Sequence, residues 1–392
     1  MYRKSASALL AVALVFAGAS TFARAQTVWR SGNIFHRAVC PGRADPGTAR
    51  CHAHVVTDVK GNAVERAAAR NLTPSGYGAT TLAAAYNIDT TQGSAHTVIA
   101  IVDAYGYSNA ERDLGTYRST MGLPPCTTAN KCFAKYNQNG QAGNYPQQNN
   151  GWAQETALDL DMASAMCPKC SIILVEANSA TYANLAAAEN TAAAKGAHVI
   201  SNSYGGAEVG SNSYEPAYNH PGVAITVSTG DSGYGAEFPA TSPHVTATGG
   251  TSLSLTGGRS ETAWSDGGSG CSTVYAKPLW QTDGGCSMRM EADVSAVADP
   301  NTGVAVYAPS SRFGSSWQVY GGTSVAAPLI AGIYGNNGGT VSYGSNPYGD
   351  ASMLNDIVKG SNGSCRVAYF CSAGPGYDGP TGLGSPNGNS AF

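Results

Sequence analysis

The sequence predicts an α/β protein built on a mostly parallel sheet with helices on both faces. Apolar runs at 97–103, 171–176, 197–203 and 223–229 alternate with helical patterns at 109–120, 152–166 and 180–195. That alternation marks βαβ units, whose crossover helices cover a parallel sheet. The runs are short and largely apolar, as strands buried on both faces must be. In such a sheet, functional groups gather beyond the carboxyl ends of the strands.

Taken in order, residues 1–25 read as a signal peptide. Arg3 and Lys4 precede the apolar run Ala8 to Ala17, and Ala23-Arg24-Ala25 forms an A-x-A cleavage site. A secreted protein is expected. No other apolar stretch is long enough to span a bilayer. Residues 26–72 form a short polar N-terminal or pro segment, and 73–392 the main domain. His36, His52 and His54 lie in the polar segment and read as surface residues. His96, His198, His220 and His244 read as surface or loop residues beside strands or prolines.

The formal charge of −3 becomes −6 once Arg3, Lys4 and Arg24 are removed. Only 12% of residues are charged, against about 25% in ordinary globular proteins. A chain with few carboxylates gains little charge on acidification, which suits an acid-stable protein. No basic patch points to nucleic acid. Ten cysteines in an exported chain point to disulfides. They fall into neighbours: Cys40 and Cys51, Cys126 and Cys132, Cys167 and Cys170, Cys271 and Cys286, Cys365 and Cys371. Local pairing is the simplest arrangement, although sequence alone leaves the connectivity open. Cys167-Pro168-Lys169-Cys170 lacks the second half of a zinc site and reads as a small structural bridge.

Chemistry concentrates in four places. Residues 96–105 read as a buried parallel strand with Asp103 at its end. In the helical stretch 151–166, Glu155 and Asp159 are four apart and share a face, with Leu158, Met162 and Ala165 marking an adjoining buried face. Two acids so spaced repel, and a solvated helix face is their ordinary setting. Here the flanks are apolar and the chain is poor in charge, so burial is expected. Asp161 points elsewhere and reads as structural. The strand ending at Thr229 opens into Gly230-Asp231-Ser232-Gly233, which places Asp231 at a strand tip. Finally, Gly321-Gly322 delivers Thr323 and Ser324 to the start of an apolar helix running to about Tyr334. A helix start favours developing negative charge. Pro328 is expected in the first turn, where proline is tolerated. Ser and Thr there also suit an ordinary N-cap.

Gly322-Thr323-Ser324-x-x-x-Pro328 resembles the segment around the serine of subtilisin-like peptidases. Their histidine is missing, since none of the seven histidines sits in a His-Gly-Thr-His type motif. Gly230-Asp231-Ser232-Gly233 also matches the nucleophile motif of chymotrypsin-like proteases, but the Ala-Ala-His-Cys type segment they need is absent. With Glu155-x-x-x-Asp159, Gly230–Gly233 and Gly322–Ser324 in this order, the chain resembles the sedolisins, or serine-carboxyl peptidases, from about residue 73 onward. The resemblance implies a subtilisin-like fold. It implies a triad of Ser324, Glu155 and Asp159, an oxyanion-hole aspartate at Asp231, and an outer network position for Asp103. Ser203, Tyr204 and Gly205 fall in the segment that pairs with substrate backbone in the family. Gly321 stands where many members carry serine. Members commonly carry a far larger folded propeptide, for which residues 26–72 leave no room. The family also binds Ca²⁺ through two aspartates and backbone carbonyls. The matching residues are Asp356, Ile357, Gly374, Gly376 and Asp378, and their oxygens and flexible glycines suit that hard cation.

These assignments set a working pH. A glutamate base stays ionised in acid where a histidine would be charged and useless. Asp159 beside Glu155 makes the two titrate as a coupled unit. Asp231 must be protonated to donate to an oxyanion. Both conditions are met only in acid. The expected function is a secreted, acid-acting endopeptidase, a monomer hydrolysing protein or peptide substrates through an acyl-enzyme. The alternative is a catalytically silent, secreted binding or wall-associated protein on the same scaffold. The intact Glu155, Asp159, Asp231 and Ser324 argue against it.

Overall fold

The four apolar runs become adjacent strands at the centre of the main sheet, in the order Ala224–Ser228, Val199–Asn202, Val98–Ala104, Ser171–Ala177. Phe133–Asn137 extends one side; Thr246–Ser254 extends the other and carries Val294–Val297 and Ser260–Ala263. Every pairing in this sheet is parallel except that of Ser260–Ala263. The computed structural model describes residues 27–67, 74–338 and 341–392. The expected signal peptide, residues 1–25, and the expected boundary near residue 72 lie outside the described residues.

Five main helices accompany the sheet: α1 (Ala79–Ala85), α2 (Ala110–Thr120), α3 (Asn150–Met166), α4 (Tyr182–Ala194) and α5 (Thr323–Asn337). α3 and α5 pack closely on one another on one face, and α4 covers the other. The pattern in α3 marks a single buried face, yet from Trp152 onward every residue except Gln154 is buried. Helices α1, α2 and α5 and the strand Val304–Ser310 surround it. Its acids therefore have no solvated side to turn to. The start of α3 is fixed by Asn149, whose side chain accepts the Gly151 and Trp152 N–H groups.

The N-terminal segment departs most from expectation. Trp29–Ser31, Ile34–Ala38 and His54–Thr57 are strands of a second, antiparallel sheet completed by Gly314–Gly321 and Val304–Ser310. His36, His52 and His54, expected at the surface, are 1%, 1% and 3% exposed. The reason is tertiary: His54–Thr57 pairs directly with the strand that leads into Gly322 and Ser324. All five disulfides join sequence neighbours, including Cys167–Cys170 just after α3. Among the described residues no helix is long and apolar enough to cross a membrane.

Candidate active site

Ser324 sits in the first turn of α5, fully buried. The cap of this helix is Gly322 at φ +97°, so Ser324 is not an N-cap. A Cβ on Gly322 would stand 1.9 Å from the His52 carbonyl oxygen and 2.7 Å from Asp231 Oδ2. A Cβ on Gly321 would meet the Ala298 carbonyl oxygen at 2.4 Å, so glycine replaces serine there for lack of room. Pro328 lies in the second turn, one turn deeper than expected. Having no N–H, it leaves the Ser324 carbonyl without its helical partner. Ser203 Oγ approaches that carbonyl at 3.5 Å.

Carboxyls flank the serine. Asp231, just past the strand Ala224–Ser228, accepts from both the N–H and the hydroxyl of Thr323 at Oδ1, each at 2.8 Å. Its Oδ2 is buried without a hydrogen-bond partner. Glu155 and Asp159 come from α3, and Asp103 from the end of the strand Val98–Ala104. Asp159 Oδ1 accepts from Ser203 Oγ at 2.8 Å. Glu155 Oε1, Asp159 Oδ2 and both Asp103 oxygens have no partner. The Thr156 hydroxyl beside Asp103 donates to the Trp152 carbonyl instead. Ser324 lies near enough to Glu155 to draw its pKa back down. The hydroxyl itself points to the Ser203 carbonyl at 3.4 Å. Asp161 faces away and accepts the Tyr307 N–H at 3.0 Å.

Burial without a cation raises every one of these acids. Burial, then the Asp103 charge, pushes Glu155 and Asp159 well above the usual carboxylate range, against the expectation of a glutamate that stays ionised in acid; loss of solvent around α3 is the reason. Burial brings Asp103 to about 7 and Asp231 to about 6. For Asp231 the partial opposition comes from His52, the Thr323 N–H and Arg50.

The N-terminal segment lies across this site, and nothing in its residue types had marked it. Arg50–Cys51 pairs antiparallel with Tyr204–Ala207, in the register Arg50 to Gly205 and Cys51 to Tyr204. His52 N–H donates to the Ser203 carbonyl at 3.2 Å, and Ala53 N–H to Glu155 Oε2 at 2.9 Å. The His52 ring bridges Ser228 Oγ at 2.7 Å and Glu237 Oε2 at 3.0 Å. His54 Nε2 is 3.6 Å from Asp231 Oδ2, and its Nδ1 is 2.8 Å from His36 Nδ1. Such a strand binds through its backbone and leaves little side-chain signature. The one sequence signal was Cys51, whose bridge to Cys40 holds it. Ser232, the serine of the other motif, is exposed and accepts from Arg50.

The C-terminal residues also meet. Asp356 Oδ2 accepts the Gly376 N–H and Asp378 Oδ2 the Gly374 N–H, each at 2.9 Å. Asp378 Oδ1 accepts from Thr381, and Ile357 is buried.

A profile of the Subtilase family matches residues 136–336. The chain is 31% identical over 371 residues to kumamolisin from Bacillus sp. (strain MN-32), covering 82% of this chain and 64% of that one. It is 27% identical over 372 residues to sedolisin from Pseudomonas sp. (strain 101), covering 82% and 62%. This chain thus spans less than two thirds of either relative's length. Pseudomonas sedolisin, a serine-carboxyl proteinase solved with two molecules of pseudo-iodotyrostatin, superposes with a TM-score of 0.68 at 26% identity. That match covers 81% of this chain and 96% of the other.

The raised carboxyls link stability to pH. A carboxyl whose folded pKa exceeds its unfolded value holds its proton more tightly when native. Its contribution is complete below about pH 4 and is lost as pH rises through the folded value. For Asp231, held at about 6 rather than 3.8, the difference is worth about 3 kcal/mol. The thermal midpoint should therefore fall by about 5 °C or more between pH 4 and pH 8. Asp103→Asn and Asp231→Asn should each flatten that fall. Calorimetry across this range checks it, and a midpoint that rises toward pH 8 contradicts it.

Proposed function

Because the chain belongs to the subtilase family, on its sedolisin branch, we propose that it is a secreted serine-carboxyl endopeptidase active in acid. In this reading Ser324 is the nucleophile, Glu155 its base, Asp159 the partner of that base, Asp231 the oxyanion donor and Asp103 an outer member of the network. One observation carries it: a helix-start serine lies between buried acids that need protons, Glu155 from α3 and Asp231 from a strand end.

The chemistry follows from the hydrogen bonds. A substrate strand lies along Ser203–Gly205. Ser324 Oγ attacks the carbonyl carbon as its proton passes to Glu155. Because Thr323 fills Oδ1 of Asp231 with two donors, the Asp231 proton is confined to Oδ2. There it faces the oxygen that becomes an anion. Glu155 returns its proton to the leaving nitrogen, and one water then hydrolyses the acyl-enzyme. Asp159, held by the Ser203 hydroxyl, and Asp103 behind it share protons with Glu155. Three packed carboxyls ionise in spread steps, and the first charge suffices for a base. Activity needs that first ionisation, which burial moves up from the ordinary carboxylate range, and falls as Asp231 loses its proton near pH 6, so it is confined to a narrow acid window.

The Asp356–Asp378 site suits calcium. Burial, with a smaller contribution from Asp356, raises Asp378 to about 6. The carbonyls of Ile357, Gly374 and Gly376 take no hydrogen bond among the described residues. Two carboxylates and free carbonyls are the donor set of Ca²⁺. Among the described residues no group of three His, Cys, Asp or Glu offers a metal cluster, so the site depends on those carbonyls. Calcium there would neutralise both aspartates and tie the two segments together.

Three outcomes are expected. Ser324→Ala abolishes casein hydrolysis at pH 4, by at least about a thousandfold, while Ser232→Ala keeps most of it. An inert Ser232 variant beside an active Ser324 variant reverses the assignment.

Glu155→Gln is nearly inactive at every pH. Asp231→Asn, whose amide donates without ionising, retains activity that declines less above pH 6. The pH profile of kcat/KM for each variant decides this, and an unchanged alkaline limb removes Asp231 from that limb.

Calcium at a hundredfold excess over Kd adds about 2.7 kcal/mol to stability. Chelator should lower the melting temperature near pH 6, and Asp378→Ala should no longer respond to calcium. A wild-type transition indifferent to chelator, with no calcium by metal analysis, leaves only a glycine-rich turn.

A further inference from the structure

Asp103 has a further acidic neighbour, on the adjacent strand. It stands opposite Glu176 in the parallel pair Val98–Ala104 and Ser171–Ala177. Residues paired in this way turn their side chains to the same face of the sheet. On that face Thr156 of α3 lies beside Asp103. Glu176 is 1% exposed. Its Oε1 accepts the Tyr107 N–H at 2.6 Å and the Lys135 ammonium at 3.0 Å, while its Oε2 is buried without a partner. Lys135 comes from the next strand, Phe133–Asn137. It also donates to the Tyr107 carbonyl at 3.0 Å, lies 4.0 Å from the centre of the Tyr145 ring, and keeps 14% of its side chain exposed. Carboxyls thus continue from Glu155 and Asp159 through Asp103 to Glu176, and a cation meets them at this outer end.

We propose that Glu176 is a positioning residue for the base: its carboxylate, held by Lys135, keeps the negative charge of the cluster off Asp103 and so leaves it to Glu155. This rests on the peptidase reading above, in which neither Glu176 nor Lys135 has a part.

The physical reason is competition. Glu155, Asp159 and Asp103 lose solvent together, and after the first ionisation one charge is shared among them. Only the share on Glu155 can take the proton of Ser324. A charge on Asp103 activates nothing, and it repels a charge on Glu155 and Asp159. A fixed carboxylate on the strand beside Asp103 disfavours ionisation there more than on α3, because the repulsion falls with distance. Burial is the main cause that holds Asp103 at about 7, and the Glu176 charge adds to it.

Glu176 can carry that charge because its donors support it. Burial raises it, while Lys135 and the Tyr107 N–H draw it back. The other groups facing Asp103 are Thr156, Glu155 and Asp159 from α3 and Tyr204 from the strand Tyr204–Ala207, none of them a cation. The pair Lys135–Glu176 is therefore the fixed charge that biases how the cluster ionises.

The test is a double-mutant cycle in the full chain, read as the pH profile of kcat/KM for casein hydrolysis between pH 3 and pH 7. Glu176→Gln keeps an oxygen for the Tyr107 N–H and removes the charge. At the lowest pH its rate should approach that of the wild type, where the cluster is still fully protonated in both. Its acid limb should then level off about one pH unit earlier, at a maximum about tenfold lower, as Asp103 takes the charge. With Asp103→Asn present in both proteins, adding Glu176→Gln should change the maximum by less than about twofold. Lys135→Gln, which leaves Glu176 to take up a proton, should repeat the Glu176→Gln profile, and it carries the test should Glu176→Gln fail to fold. A purely structural role lowers kcat/KM by the same factor at every pH and in both backgrounds; that result, or a wild-type profile in either variant, overturns the proposal and leaves the peptidase reading standing. A wild type inert on casein at every pH overturns both.

Discussion

Four carboxyl groups, Asp103, Glu155, Asp159 and Asp231, are buried around one serine with no lysine or arginine bridged to any of them among the described residues. An unpaired buried charge is too costly to keep, so such groups take up protons. The fold can pair a buried acid when it needs one ionised. Arg289, fully buried, clasps Asp293 through two nitrogens at 2.7 and 2.6 Å. At the serine that option is left out, and protons alone neutralise the cluster. Glu189 and Glu291 repeat the pattern, both driven up chiefly by burial. Stability and the proposed chemistry therefore depend on the same protons.

Holding the acids there takes much of the architecture. α3 must be enclosed on every side, which α1, α2, α5 and the strand Val304–Ser310 accomplish together. α5 must begin where the strand Gly314–Gly321 ends, and that junction leaves no room for a side chain at Gly321 or Gly322. Thr323 then joins the helix start to Asp231, so the positions of Ser324 and Asp231 are set together by one pair of hydrogen bonds. The N-terminal strands pack against the same junction. This is why a segment that looks peripheral in sequence ends up touching Glu155 and approaching Asp231.

Much of this was readable from the chain. Short apolar runs broken by helical patterns specify parallel strands with crossovers, because period and length carry that information locally. Glu155 with Asp159, Asp231 and Ser324 stood out because a charge-poor, apolar context makes acids conspicuous. The cysteine neighbours were readable for a similar reason, since short separations leave few geometric choices. The helix around Glu155 was legible in extent, but its complete burial was not. A pattern along one helix reports its own faces and says nothing of how many layers will cover them.

The sequence by itself determined the four central strands, the helices between them and the acids and serine available for chemistry, because these are properties of residue type and local spacing. Only the tertiary structure decided which of those acids lose contact with solvent, and hence which carry protons, because desolvation depends on neighbours distant along the chain. It likewise decided the place of His52 and Ala53. A strand seated by backbone hydrogen bonds is selected by shape and register, and few side chains announce that in advance.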